Sequence, residues 1–200
     1  MMKLQDLKVI YICPEHNDRF KQRKEHMASM LEKIGFKEII HYKSTTEKYP
    51  TCLSLATIDI LTKYNSEPFL LLEDDVDFTG IATFDYVADA DAIYFGVSRS
   101  CGHPYLNTHN GGCVVKPYSA SQVQVVNMLT THAILYLSQK YKNAVIQQLK
   151  ANLTAHSDVM ISRLQRHFKV LANKNPSFYQ AARFNYGNIN VQKHSLIAFK

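Results

Sequence analysis

Four carboxylates stand almost side by side in the stretch FLLLEDDVDF, residues 69–78: Glu73, Asp74, Asp75 and Asp77. Like charges this close repel one another, and burial raises the pKa of at least one of them. A hard divalent cation relieves the repulsion: it takes oxygen ligands from two carboxylates and leaves positions for phosphate oxygens and water. The residues just ahead, Phe69, Leu70, Leu71 and Leu72, are all apolar, as expected of a central strand covered on both faces. In open α/β sheets ligands bind beyond the carboxyl ends of the strands. The tip of this strand is therefore where a divalent metal and a diphosphate are expected. If the chain stays extended past Leu72, Glu73, Asp75 and Asp77 share one face and Asp74 takes the other. The competing reading is a turn whose acids pair with nearby lysines.

A second group of potential ligands lies in CGHPYLNTHNGGC, where Cys101, His103, His109 and Cys113 fall within one loop. Zinc takes such ligands, but this spacing matches no common zinc motif, and a polar ligand-binding loop is the preferred reading. Gly111 and Gly112 in that loop allow close backbone approach to a ligand. The basic run RFKQRK, residues 19–24, can meet phosphates or form the solvated face of a helix. His132 sits in an apolar run, where a hydrogen-bonded core histidine is the expected state.

The elements that must hold these groups alternate between strand and helix. Residues 8–13 (KVIYIC) read as a first strand, followed by a helix from Asp18, taken as its cap, to Ile34, stopped by Gly35. A second strand over 38–43, a helix over 50–64 and the acidic strand follow. Strands are expected at 92–97, 113–115, 132–137 and 169–172, and helices at 119–128, 139–149 and 157–168; the rest reads as a tail wrapping the domain. This alternation predicts a single α/β domain spanning residues 1–200, with a mixed, mainly parallel central sheet flanked by helices.

Length and composition agree. A chain of 200 residues with 46% hydrophobic and 20% charged residues is ordinary for one globular domain. No apolar run approaches the roughly 18 residues of a membrane span. The N-terminal MMKLQDLKVIYIC reads as a strand rather than a signal peptide, so a cytoplasmic protein is expected, and the acceptor-like triplet Asn152, Leu153, Thr154 is fortuitous. The four cysteines lack CxxC spacing, so thiols are expected. The net charge of +6 is scattered, and no nucleic-acid motif accompanies it.

With these residues in place, the chain resembles the GT-A glycosyltransferases, in particular the lipopolysaccharide and collagen galactosyltransferase-like family, and compact virus-encoded glycosyltransferase domains. The resemblance rests on the EDDVD strand tip and on Arg23, Lys24, Met27, Leu31 and Gly35 at set spacings in the first helix. Further matches are Cys52, Leu53 and Ser54 ahead of the acidic strand, residues 131–133 (Thr-His-Ala) with Ser138, Asp158 in HSDVMI, and Asn175, Pro176 and Gln180. Leu55 stands where the family carries a histidine.

The resemblance implies transfer of a sugar from a nucleoside-diphosphate donor, expected to be UDP, to an acceptor hydroxyl of a glycan or glycoprotein, with Mn²⁺ or Mg²⁺ as cofactor. Asp75 and Asp77 are the expected metal ligands. Glu73 and Asp74 are expected to position the ribose or neighbouring groups, while Pro14, His16, Arg23, Lys43 and Ser44 frame the nucleotide. Asp158 is the expected base of an inverting transfer; its competing role is to cap the helix that begins there. Two other readings remain. One is a nucleotidyl- or phosphoryl-transfer enzyme using the same Asp pair, although no Gly-rich loop follows the first strand. The other is a non-catalytic nucleotide-sugar-binding module.

Overall fold

The computed structural model describes residues 1–98, 100–102 and 109–184. The first half runs in the expected order: β1 (Lys8–Ile12), α1 (Asp18–Ile34), β2 (Glu38–Tyr42), α2 (Thr51–Lys63) and β3 (Phe69–Glu73). After a turn at Asp74 and Asp75 come β4 (Val76–Phe78) and β5 (Ala92–Tyr94). The second half contains β6 (Val114–Pro117), β7 (Gln122–Asn127), β8 (Ala133–Tyr136), α3 (Gln139–Ala151), α4 (Ser157–Gln165), β9 (Val170–Asn173) and β10 (Phe178–Gln180).

Eight of these strands form one sheet in the order β6-β7-β9-β5-β8-β3-β1-β2. β1 pairs in parallel with β2 and β3, and β5 with β9. β8 is antiparallel to β3 and β5, and β7 to β6 and β9. All strands but β7 and β8 thus point the same way, and the sheet is mixed and mainly parallel. The expected helix over 119–128 is instead β7. Its sequence, QVQVVN, places Val123 and Val125 two residues apart, a strand period with β-branched side chains.

The alternation of strand side chains divides the core in two. Ile10, Ile12, Phe69 and Leu71 pack with Ile60 of α2, Val145 of α3 and Met160 of α4 on one face. Val9, Tyr11, Leu70 and Leu72 pack with Met27 and Leu31 of α1 on the other. Helix α1 is capped by Asn17, not by Asp18: the Asn17 side chain accepts from Phe20 N–H at 3.1 Å. It ends at Gly35, whose φ of +89° is the left-handed conformation glycine tolerates best. Outside the main sheet, β10 pairs antiparallel with β4, and Ala181 N–H bonds the Asp75 carbonyl at 2.8 Å. The chain beyond β9 therefore returns to the acidic turn, as the tail reading expects, up to residue 184.

Candidate active site

Strand alternation decides where the acids go. Leu72 faces α1, so Glu73 faces α2 and α4 and Asp74 returns to the α1 side. This much follows the expected pattern. The turn at Asp74 and Asp75 then breaks the alternation, and Asp77 does not join the face of Glu73.

On the α1 side, both acids meet arginines. Buried Arg23 donates from Nη1 to Asp74 Oδ1 at 2.7 Å and from Nη2 to the Phe184 carbonyl. Arg19 donates to the same carbonyl at 2.5 Å. Burial raises the pKa of Asp74, and the charge of Arg23 pulls it back. Asp77 is gripped by both Nη atoms of Arg183, at 2.6 and 2.7 Å, while His26 Nε2 lies 3.0 Å from Oδ1. Of the two expected metal ligands, Asp77 is thus engaged by Arg183 of the returning C-terminal segment, with the His26 ring of α1 beside it. Arg183 is a residue that no local pattern could have flagged, since it comes from 106 positions away.

On the other side, Glu73 accepts a hydrogen bond from the Thr131 hydroxyl, and its own N–H donates to the His132 carbonyl at 3.0 Å. Burial, and then the charge of Asp75, push its carboxyl up to about 8; Asp158 and Asp74 add to this and the Thr131 bond opposes it. Asp75 Oδ2 accepts from Gln180 Nε2 at 3.3 Å. Asp158 lies in the first turn of α4, half-buried, with its Oδ1 accepting from Val159 N–H at 2.7 Å. The cap position belongs to His156, which makes no side-chain cap bond, so Asp158 does not hold the helix end as an N-cap would. The N-termini of α2 and α4 meet here. Ser54 Oγ and Ser157 Oγ are 3.0 Å apart, and Tyr49 O–H lies 3.1 Å from His156 Nδ1. Neither helix carries a side-chain cap, unlike α1 and α3, so their first amides are left to other partners.

The remaining expected residues divide. Ser44 is buried, and its Oγ has no hydrogen-bond partner among the described residues. Pro14 is partly buried at the end of β1; His16 is exposed, its ring 4.7 Å from that of Phe20. Lys43 is exposed and lies 3.4 Å from Glu15 Oε2. Glu15 was not singled out, yet it also pairs with Lys24 and lies 3.7 Å from His41. The hydrogen bond from Lys24, with help from Lys43, holds its carboxyl below the usual range. One acid, Glu15, thus faces both Lys24 and Lys43 at the first strand–helix junction.

His132 is a core residue, as expected. Its imidazole is pushed down to about 4 by burial, and its Nδ1 meets Thr130 Oγ1. Gly96 makes room for it: a Cβ there would lie 1.8 Å from His132 Nε2. Gly111 and Gly112 belong to a short strand, His109–Gly112, paired with Ser100–Gly102. His103 and the side chains of Cys101 and His109 lie outside the described residues. Cys13, Cys52 and Cys113 form no disulfide. Among the described residues, no three Asp, Glu, His or Cys side chains form a ready metal cage, and no helix is long and apolar enough to cross a membrane.

The fold is thus a mixed α/β domain in which one large mixed sheet is flanked by helices. No protein-family model and no curated protein matches the chain. Among solved structures, an apo UDP-glucose pyrophosphorylase superposes with a TM-score of 0.50 at 9% identity, over 88% of this chain and 78% of that one. A nucleoside-diphosphate-sugar pyrophosphorylase from Vibrio cholerae RC9 reaches 0.47 at 12% identity, over 84% and 73%. A glycosyltransferase involved in glycosylating the major capsid of PBCV-1 reaches 0.40 at 10%, over 72% and 68%. At such identities the likeness is one of fold, and only the first overlap is deep enough to speak for it.

Proposed function

We propose that the chain is a metal-dependent glycosyltransferase that moves a sugar from a UDP donor to an acceptor hydroxyl of a glycan or glycoprotein, with inversion. What supports this reading is the division at the strand tip: Glu73 turns to the side where Asp158 opens α4, with Asp75 in the turn that follows, while Arg23 takes up Asp74 and Arg183 takes up Asp77. The donor set fits a hard cation. It is all oxygen, the carboxyl groups of Glu73 and Asp75. Asp75 is the proposed direct ligand, with Glu73 beside it. When bound, Mn²⁺ or Mg²⁺ supplies Lewis-acid stabilisation of the leaving diphosphate.

The chain's own groups do the rest. Asp158 takes the proton from the acceptor hydroxyl. That oxygen forms its bond to the anomeric carbon as the bond from that carbon to the diphosphate oxygen breaks, and the electron pair leaves on the diphosphate. Thr131 and the His132 carbonyl hold Glu73, and Arg23 holds Asp74, so the turn carrying Asp75 is fixed from both faces.

The test is calorimetric titration of UDP with Mn²⁺ and with EDTA, joined to an assay of UDP-sugar turnover. Mn²⁺ is expected to tighten UDP by about 10-fold or more, a gain of roughly 1.4 kcal/mol, and Asp75→Ala to abolish the gain. UDP affinity indifferent to EDTA rejects the metal. Pyrophosphate release from UTP and a sugar 1-phosphate, without sugar transfer, moves the chain to nucleotidyl chemistry, the kind named for the two pyrophosphorylases.

A further inference from the structure

Tyr49 is the residue at this site that neither the fold nor the proposed chemistry accounts for. It is 63% exposed, more than any other described large hydrophobic residue except Met1. It does not dangle. Its hydroxyl is engaged by His156 Nδ1 at 3.1 Å, and the imidazole meets it edge-on, with ring centroids 5.4 Å apart at 66°. The ring is thus pinned at its polar tip across the gap between α2 and α4 while much of its apolar surface stays open.

We propose that Tyr49 is the floor of an acceptor-sugar subsite, and that the acceptor is a pyranose. A pyranose combines one flat face of C–H groups, which packs on an aromatic ring, with a rim of hydroxyls that need donors and acceptors. Both are present here: the face of the Tyr49 ring is open, and the Tyr49–His156 pair and Asp158 supply hydrogen-bonding groups. A serine or threonine hydroxyl on a peptide brings no flat apolar face. The uracil of the donor is the rival occupant. Tyr49 pairs with His156, two residues ahead of Asp158, the group proposed to take the acceptor's proton, which puts the ring on the acceptor side of the anomeric carbon. The inference therefore rests on the proposed transfer reading.

Saturation-transfer NMR tests it, using methyl glucoside, methyl galactoside and methyl mannoside in turn, each with and without UDP and Mn²⁺. At least one should receive saturation concentrated on the C–H groups of a single ring face. That signal should fall about fivefold in Tyr49→Ala, the factor expected for losing one aromatic contact, and survive in Tyr49→Phe. Melting temperature should barely move, because the ring is exposed. Loss of UDP affinity in Tyr49→Ala would assign the ring to the nucleobase and overturn the proposal. Equal saturation in wild type and Tyr49→Ala, or none from any glycoside, overturns it as well. Face-selective glycoside binding in a protein that ignores UDP would instead sustain the subsite and sink the donor reading.

Discussion

The two sides of the strand tip treat the same kind of residue in opposite ways. Toward α1, Asp74 and Asp77 each meet an arginine, and Arg23 also ties the Phe184 carbonyl into the same network. Toward α2 and α4, Glu73 accepts from the Thr131 hydroxyl, and burial, with the charge of Asp75 and then of Asp158 adding to it, raises its pKa to about 8. Acids held by guanidinium groups are fastened in place. Acids crowded together repel one another, and a cation can relieve that repulsion. One short run of carboxylates is thereby divided between an anchor and a candidate reaction centre.

The sharpest way to break this division is to attack the anchor. Arg23→Leu strands Asp74 in a buried position, and denaturant titration should show a loss of about 3–5 kcal/mol. The double variant Arg23→Leu/Asp74→Leu should recover much of it. Full stability in Arg23→Leu would mean that the α1 side anchors nothing. Next comes Asp158→Asn, which keeps the shape but removes the basic oxygen. Turnover should fall by roughly 10²-fold, with UDP affinity and melting temperature nearly unchanged. Near-normal turnover, or retained anomeric configuration in the product, would remove Asp158 from the chemistry.

A third test reads the crowding itself. Glu73 has a folded-state pKa of about 8, above its ordinary 4.5, so the folded chain keeps a proton that the unfolded chain releases. Stability should therefore fall as pH rises toward 8. Below pH 6.5 the opposite sign enters: His132, depressed to about 4, takes a proton only on unfolding, so stability also falls as pH drops from 6.5. The clean window is pH 6.5–8, where wild type should lose up to about 2 kcal/mol. Glu73→Gln should flatten that slope in thermal melts, and an unchanged slope would clear Glu73 of crowding. The smallest effect belongs to Arg183→Ala. Arg183 is 55% exposed, so its loss should cost at most about 1 kcal/mol despite the two-pronged geometry. A larger loss would make the C-terminal segment part of the anchor proper.

Much of this architecture was legible in local pattern. Short continuous apolar runs predict β1 and β3, and Gly35 marks the end of α1, because apolar runs and helix stops are properties of a few neighbouring residues. The same rules misread 119–128, where Gln-Val alternation outweighed the helix reading once Val123 and Val125 could be buried in a sheet. The sequence by itself determined that four acids end a buried strand, and that Glu73 and Asp74 part to opposite faces. Only the tertiary structure decided which acids are neutralised. Arg23 reaches Asp74 from 51 positions away and Arg183 reaches Asp77 from 106. Tyr49 meets His156 across 107 positions, and Ser54 meets Ser157 across 103. Charge pairing depends on distance in space, which a linear pattern does not contain, so the division between anchor and reaction centre arises when α1, α2, α4 and the returning C-terminal segment pack around one strand tip.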